Sequence, residues 1–265
     1  MALVFAAIVP HSPVLIPHIG KDNLSSLSTT VNSLHRLANE LKMIKPDTLV
    51  CISSHLNTPQ AALVFNIRPT YRATFDAFGD FGPGLAINGD TVFAHYLKRR
   101  FDTERDKMPV IVTSEEKLDY SLGVPLTYLL QPLPQLRIVP IGDTLEDHRL
   151  HLKLGQRLRR SIYQERQRVA VIASANLSHR LSEQSPAGFS PKAKDFDRRV
   201  LKAIAENRPS SLARIQPSTL AEVQFCGIKA MLLLYGILDG LSYRPEIMSY
   251  ENAFGIGIAT VALRF

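Results

Sequence analysis

Three apolar runs, each leading into a histidine, constrain this chain more than any other feature. Leu3-Val4-Phe5-Ala6-Ala7-Ile8-Val9-Pro10-His11 opens it and Thr48-Leu49-Val50-Cys51-Ile52-Ser53-Ser54-His55 follows. The third, Val169 to Ser174, passes through Ala175-Asn176-Leu177-Ser178 to His179. No run alternates polar with apolar residues, which is how a strand covered on both faces of a parallel sheet reads. In open α/β sheets, ligands bind beyond the carboxyl ends of the strands. Three imidazoles delivered to three such ends are therefore expected to converge on one crevice and to assemble a metal site there.

The rest of the chain alternates helix and strand. Leu27, Val31, Leu34, Leu37, Ala38 and Leu41 recur at helical spacing, with Asp22 or Asn23 as the expected cap, and complete a first β-α-β unit. Further strands are expected over Ala61 to Ile67, Pro109 to Thr113 and Leu136 to Ile141. Helices are expected over Thr91 to Phe101, Val124 to Leu130, Leu145 to Gln164, Lys192 to Glu206 and Leu220 to Leu238. The segment Phe78 to Gly84 holds three glycines and reads as a loop able to approach a ligand, or as a plain turn. Pro245 to Tyr250 and Ile256 to Leu263 read as an antiparallel pair at a sheet edge. The expectation is an α/β fold: a layered, mostly parallel sheet flanked by helices, with right-handed crossovers. With no linker visible, residues 1–265 are expected to form a single domain.

A net charge of +7 raises nucleic-acid binding. The basic residues, however, fall in short clusters (Lys98-Arg99-Arg100, Arg157 with Arg159-Arg160, Arg198-Arg199) late in expected helices or on their exposed sides, without interleaved aromatics. Solvated helix faces explain them, and no nucleic-acid partner is expected. The apolar run Met231 to Leu238 is closed by Asp239 and is too short to span a bilayer, and the first residues lack a basic leader and cleavage site. No membrane association is expected. Two cysteines, Cys51 and Cys226, give no disulfide framework and suit a reducing, cytoplasmic setting.

Of the eight histidines, His35, His95, His148 and His151 lie in or at the start of expected helices and read as surface or capping residues. His18 is close enough to His11 in sequence to be weighed as a member of the site. Imidazole suits zinc and iron, and two histidines with one anionic ligand leave positions open, as in non-haem Fe(II) oxygenases. A third, unligated histidine can then move protons. The candidates for the anion are Cys226 at the start of the apolar helix, where a helix N-terminus favours thiolate, Glu222 four residues earlier, and Glu251.

Pro10-His11-Ser12-Pro13, Ser53-Ser54-His55, Leu118-Asp119-Tyr120-Ser121-Leu122-Gly123-Val124-Pro125-Leu126, Asn176-Leu177-Ser178-His179 and Cys226-Gly227-Ile228-Lys229 together carry a resemblance. Over essentially its full length the chain resembles the class III extradiol ring-cleavage dioxygenases of the LigB type and the related Memo proteins. Pro186-Ala187-Gly188-Phe189 and Ser249-Tyr250-Glu251 are similar to the bacterial branch found beside, or fused to, AMMECR1-like domains. The resemblance implies a LigB/phosphorylase-like architecture and a mononuclear Fe(II) site. His11 and His55 would be ligands with Cys226, His179 the acid/base, and Tyr120 part of the catalytic set. Ser12, Asp119 and Asn176 would lie against a catechol-type substrate that reacts with O2. There are departures. Ring-cleaving members carry glutamate where Cys226 stands, whereas Memo proteins carry cysteine; Tyr120 replaces a histidine and Asn176 a frequent aspartate. Thiolate is a softer donor that also admits zinc or copper(I). The alternative implied is a Memo-like metal-binding protein without ring-cleaving activity, working beside an AMMECR1-like or radical-SAM partner. A homodimer is expected by analogy alone.

Overall fold

The computed structural model of the chain describes residues 2–53, 55, 62–102, 110–143 and 147–265. Ser54 and the expected element starts at Ala61, Pro109 and Leu145 lie outside the described residues. The strands are β1 (Leu3–Val9), β2 (Thr48–Ser53), β3 (Leu63–Asn66), β4 (Thr70–Phe75), β5 (Asp80–Asn88), β6 (Val110–Thr113), β7 (Lys117–Leu118), β8 (Arg137–Asp143), β9 (Val169–Ser174), β10 (Arg244–Glu251) and β11 (Ile258–Arg264). The helices are α1 (Pro17–Gly20), α2 (Ser28–Ile44), α3 (Thr91–Asp102), α4 (Tyr120–Leu129), α5 (Leu150–Tyr163), α6 (Ala193–Ala205), α7 (Pro209–Ala213), α8 (Pro217–Val223) and α9 (Ile228–Ile237).

Eight strands join in the order β10-β11-β1-β9-β2-β8-β3-β6. The central four, β1, β9, β2 and β8, run parallel, while β3 is antiparallel to β8 and β11 is antiparallel to β1. β10 and β11 form the expected antiparallel pair at the edge. The missing polar alternation has a direct cause. Ile8, Val50, Ile52, Val169, Val171 and Ala173 face a core built with α3, α5, α6 and α9. Their neighbours Phe5, Ala7, Val9, Leu49, Cys51, Ala170 and Ile172 face a second core built with α2 and α4. Both faces are covered, so the strands are apolar throughout.

The structure departs from expectation at several elements. A second sheet, in the order β5-β4-β7, covers α4, and the three-glycine segment is its turn and edge strand rather than a ligand loop: Gly79 turns with φ 84° and β5 starts at Asp80. The helix expected from Val124 starts at Tyr120, because Asp119 caps it by accepting from Ser121 N at 2.9 Å, and Pro125 lies inside it. The single helix expected over Leu220 to Leu238 is two, broken at residues 224–227 with Gln224 left-handed (φ 51°). Neither Asp22 nor Asn23 caps α2. Residues 21–27 form a 3-10 turn, and the Glu251 carboxylate accepts from Thr29 N and Thr30 N at 3.2 and 2.8 Å. Among the described residues, no helix is long and apolar enough to cross a membrane.

Candidate metal centre

β1 and β2 both border β9 and run parallel to it, so the residues after all three strands emerge on one edge of the sheet. His11 and His55 meet there with ring centroids 4.8 Å apart. The break between α8 and α9 brings Cys226 to the same place, its Sγ 3.5 Å from His11 Nε2. Gly227 permits the approach, since a Cβ there would lie 2.4 Å from the Ala175 Cβ. One donor atom from each of His11, His55 and Cys226 lies within 4.8 Å of the others.

The surroundings fix which nitrogen of His11 is free. Pro125 has no N–H to offer the carbonyl one turn back, so Ser121 O is left to accept the Ser174 hydroxyl. Ser174 Oγ, its proton thus spent, accepts from His11 Nδ1 at 2.8 Å. The Nε2 lone pair therefore faces Cys226. A second chain of hydroxyls fixes the backbone at His55: its main-chain N–H donates to Ser53 Oγ, which lies 2.5 Å from Ser121 Oγ, and that hydroxyl donates to the Asp119 carboxylate. His55 Nε2 is buried without a hydrogen-bond partner. A buried, unpartnered imidazole nitrogen beside a second imidazole lone pair and a thiol fits a transition-metal ion such as zinc, iron or copper.

His179 stands at the same edge but is held differently. Its N–H donates to Val223 O at 3.0 Å and its Nδ1 lies 2.7 Å from Gln224 O. A carbonyl only accepts, so Nδ1 carries the proton and Nε2 keeps its lone pair. Burial lowers the pKa of His11, His55 and His179 below the ordinary imidazole value and pushes the Cys226 thiol and the Tyr120 phenol up to about 12 each. The thiolate expected of a helix N-terminus is thus overridden by desolvation. Tyr120 sits edge-on to both ligand-type imidazoles, with centroids 5.9 and 5.5 Å away, and Phe78 packs against it at 5.0 Å.

Two cavities share His55 as a wall. One, about 450 Å³, is lined by Phe78, Lys117, Asp119 and Tyr120 among others. The other, about 500 Å³, is lined by His148, His179, Gln224, Phe225 and Cys226 among others. Of the remaining residues expected at the site, Asn176 uses its Oδ1 to accept from His11 N at 3.0 Å, and Ser12 is buried; neither lines these cavities. Glu222 is engaged by Lys192 and Ser190, and Glu251 is spent on capping α2, so neither joins the donor cluster. His18, His35 and His95 are exposed. His148 and His151, expected at the surface, are instead buried, because main-chain carbonyls satisfy a nitrogen of each ring. Sequence reading missed Ser53, Ser121, Ser174 and Gln224. Two of these carried a signal: Ser53 and Ser174 are the polar residues that end two of the apolar strands.

Fold and site together define a class: an α/β protein with side chains able to hold a metal ion gathered at the carboxyl ends of its parallel strands. The chain belongs to the LigB family, since residues 5–261 match the family model described as the catalytic LigB subunit of aromatic ring-opening dioxygenase. It is 24% identical over 268 residues to Protein CA_C1420 of Clostridium acetobutylicum, covering 97% of this chain and 56% of that protein. It is 32% identical over 150 residues to the 3,4-dihydroxyphenylacetate 2,3-dioxygenase of Escherichia coli, covering 52% of this chain and 53% of that enzyme. The matches thus span about half the length of these curated relatives. The crystal structure of the uncharacterized protein JW3007 from Escherichia coli K12 shares the fold with a TM-score of 0.66 at 17% identity, covering 98% of this chain and 99% of that one.

Proposed function

We propose that the protein is an extradiol-type dioxygenase that opens a catechol-type aromatic ring with O2, and that His11, His55 and Cys226 hold its Fe(II). The observation that carries this reading is His179: an imidazole beside the donor cluster and outside it, its Nδ1 pinned by a carbonyl and its Nε2 free to accept a proton. Family membership weighs toward ring opening over the non-cleaving, Memo-like alternative.

When bound, the iron would supply the redox-active centre that lets an aromatic diol and O2 react. The chain's own residues do the rest. His179 Nε2 takes a hydroxyl proton from the substrate and returns it later, and burial keeps that imidazole neutral and ready to accept at neutral pH. Tyr120, whose phenol stays protonated, offers a hydrogen bond from the opposite cavity, and Phe78 fixes its ring. Ser174, Ser53 and Asn176 hold His11 and His55 in place. The reading treats residues 1–265 as one catalytic domain.

Oxygen uptake by anaerobically Fe(II)-loaded protein on a panel of catechols tests it. The expected result is turnover that falls about 100-fold or more in His179→Ala. In the wild type, activity should rise with pH along an acid limb lying below the ordinary histidine value, as expected when a base of lowered pKa must lose its proton. No uptake above the His179→Ala background on any catechol overturns the assignment.

A further inference from the structure

The cavity that carries His55 and His179 contains a third imidazole, which the proposed chemistry does not use. His148 is only 3% exposed, yet it lines that cavity together with His55, His179 and Cys226. Its Nε2 lies 3.2 Å from Ala213 O, so Nε2 carries the proton and Nδ1 is left as the ring's lone pair. The same device, a main-chain carbonyl fixing one imidazole nitrogen, holds His179 through Gln224. The main chain of His148 is fixed as well, because His151 reaches its carbonyl with both its N–H, at 3.1 Å, and its Nδ1, at 3.0 Å. The neighbouring carboxylate of Asp147 is occupied by Arg149 through contacts of 2.8 to 3.0 Å. Leu220, Phe225 and Ile228 supply apolar wall in the same cavity, which suits the face of an aromatic ring.

We propose that His148 is a specificity-determining residue that accepts a hydrogen bond, at Nδ1, from a third donor group on the aromatic substrate, a hydroxyl or amine beyond the vicinal pair. The substrate class is then a catechol bearing an additional donor. Burial lowers the pKa of His148, which keeps the ring neutral and an acceptor. Once a bound ring covers Nδ1 and shuts out water, an acceptor left unpaired disfavours the analogue that lacks the matching donor, and that penalty is the source of discrimination. The substrate class rests on the ring-opening reading; the binding preference can be measured without it.

The test is a calorimetric titration of Zn(II)-loaded protein, which is redox-inert, with catechol and with the benzenetriols that keep a vicinal pair. Wild type is expected to bind a triol at least about tenfold more tightly than catechol, and methylating the third hydroxyl should erase that preference. In His148→Gln, whose amide N–H can still serve Ala213, the preference should fall to within about twofold, with catechol affinity and thermal unfolding unchanged. Equal wild-type affinities, a preference that survives in His148→Gln, or an equal loss for catechol and triol overturns the proposal. If that variant does not fold, the methyl ether comparison on wild type still decides: a methylated triol bound as tightly as its parent overturns it. A triol preference without ring opening by the Fe(II)-loaded protein would retain the role of His148 and sink the dioxygenase reading.

Discussion

Cys226 keeps its proton at neutral pH unless a cation lies beside it, since burial pushes its thiol up to about 12. A metal ion takes thiolate, whereas His11 and His55, with lowered pKa values, are already neutral and have no proton to give. Binding one divalent ion near pH 7 should therefore release about one proton, and that proton should come from Cys226. Titrating Zn(II) into weakly buffered wild type is expected to show this release, with Cys226→Ser releasing almost none and binding at least about tenfold more weakly. Equal release from both proteins would remove Cys226 from the ligand set. At this scale, His11, His55 and His179 were legible in sequence because an apolar strand points to each. His148 was not, because a histidine between Asp147 and Arg149 looks solvated; only the fold reveals that Ala213 satisfies its ring. Nor was the protonation of Cys226, which depends on burial that no local pattern encodes.

Helix α9 sets where Cys226 lies, and its own position is set by glycine. Gly236 of α9 faces Gly155 of α5 so closely that a Cβ on Gly236 would lie 2.2 Å from Leu152 O and 2.7 Å from Gly155 Cα. Gly236→Ala must push the helices apart, and a shift of α9 is passed to Cys226, two residues before the helix begins. The expected outcome is a loss of about 2 kcal/mol in denaturant unfolding together with weaker Zn(II) binding. A variant within about 0.5 kcal/mol of wild type would show that the contact yields at no cost. The elements themselves were legible where one force dominates: β1, β2 and β9 follow the apolar runs because both sheet faces are covered. They were misread where a local device competes with periodicity. Apolar spacing runs on from Leu220 to Leu238, but left-handed Gln224 and the packing of Gly227 on Ala175 break the helix at the site. In α4, Pro125 resembles a first-turn proline, yet Asp119 starts the helix earlier and the proline's missing N–H frees a carbonyl that the site uses.

At the scale of the whole molecule, alternation of strand and helix announced a layered α/β fold, but not that β9 lies between β1 and β2, the one fact that brings the three histidines together. Strand order is decided by long-range packing, and no short window of sequence holds it. A single buried carboxyl illustrates that long-range linkage. Asp197 on α6 accepts from Ser178 N at 3.0 Å, next to His179 and just past β9, and from Tyr250 Oη on β10 at 2.8 Å. These two bonds favour its ionised form, but burial outweighs them and pushes its carboxyl up to about 6 from an ordinary 3.8. The folded protein therefore holds this proton more tightly than the unfolded chain does. Where the native state binds more protons, stability falls as pH rises, so Asp197 costs nothing below about pH 4 and its full penalty is felt above about pH 6. A shift of about two units corresponds to about 3 kcal/mol. Asp197→Asn keeps an acceptor for Ser178 N and a polar partner for Tyr250 without titrating. Its unfolding free energy relative to wild type should therefore climb by about 2 to 3 kcal/mol between pH 4 and pH 7, read by urea denaturation at each pH. A difference that stays flat across that interval would mean that Asp197 is ionised in the fold without penalty, and that the junction of α6, β9 and β10 is better solvated than its burial indicates.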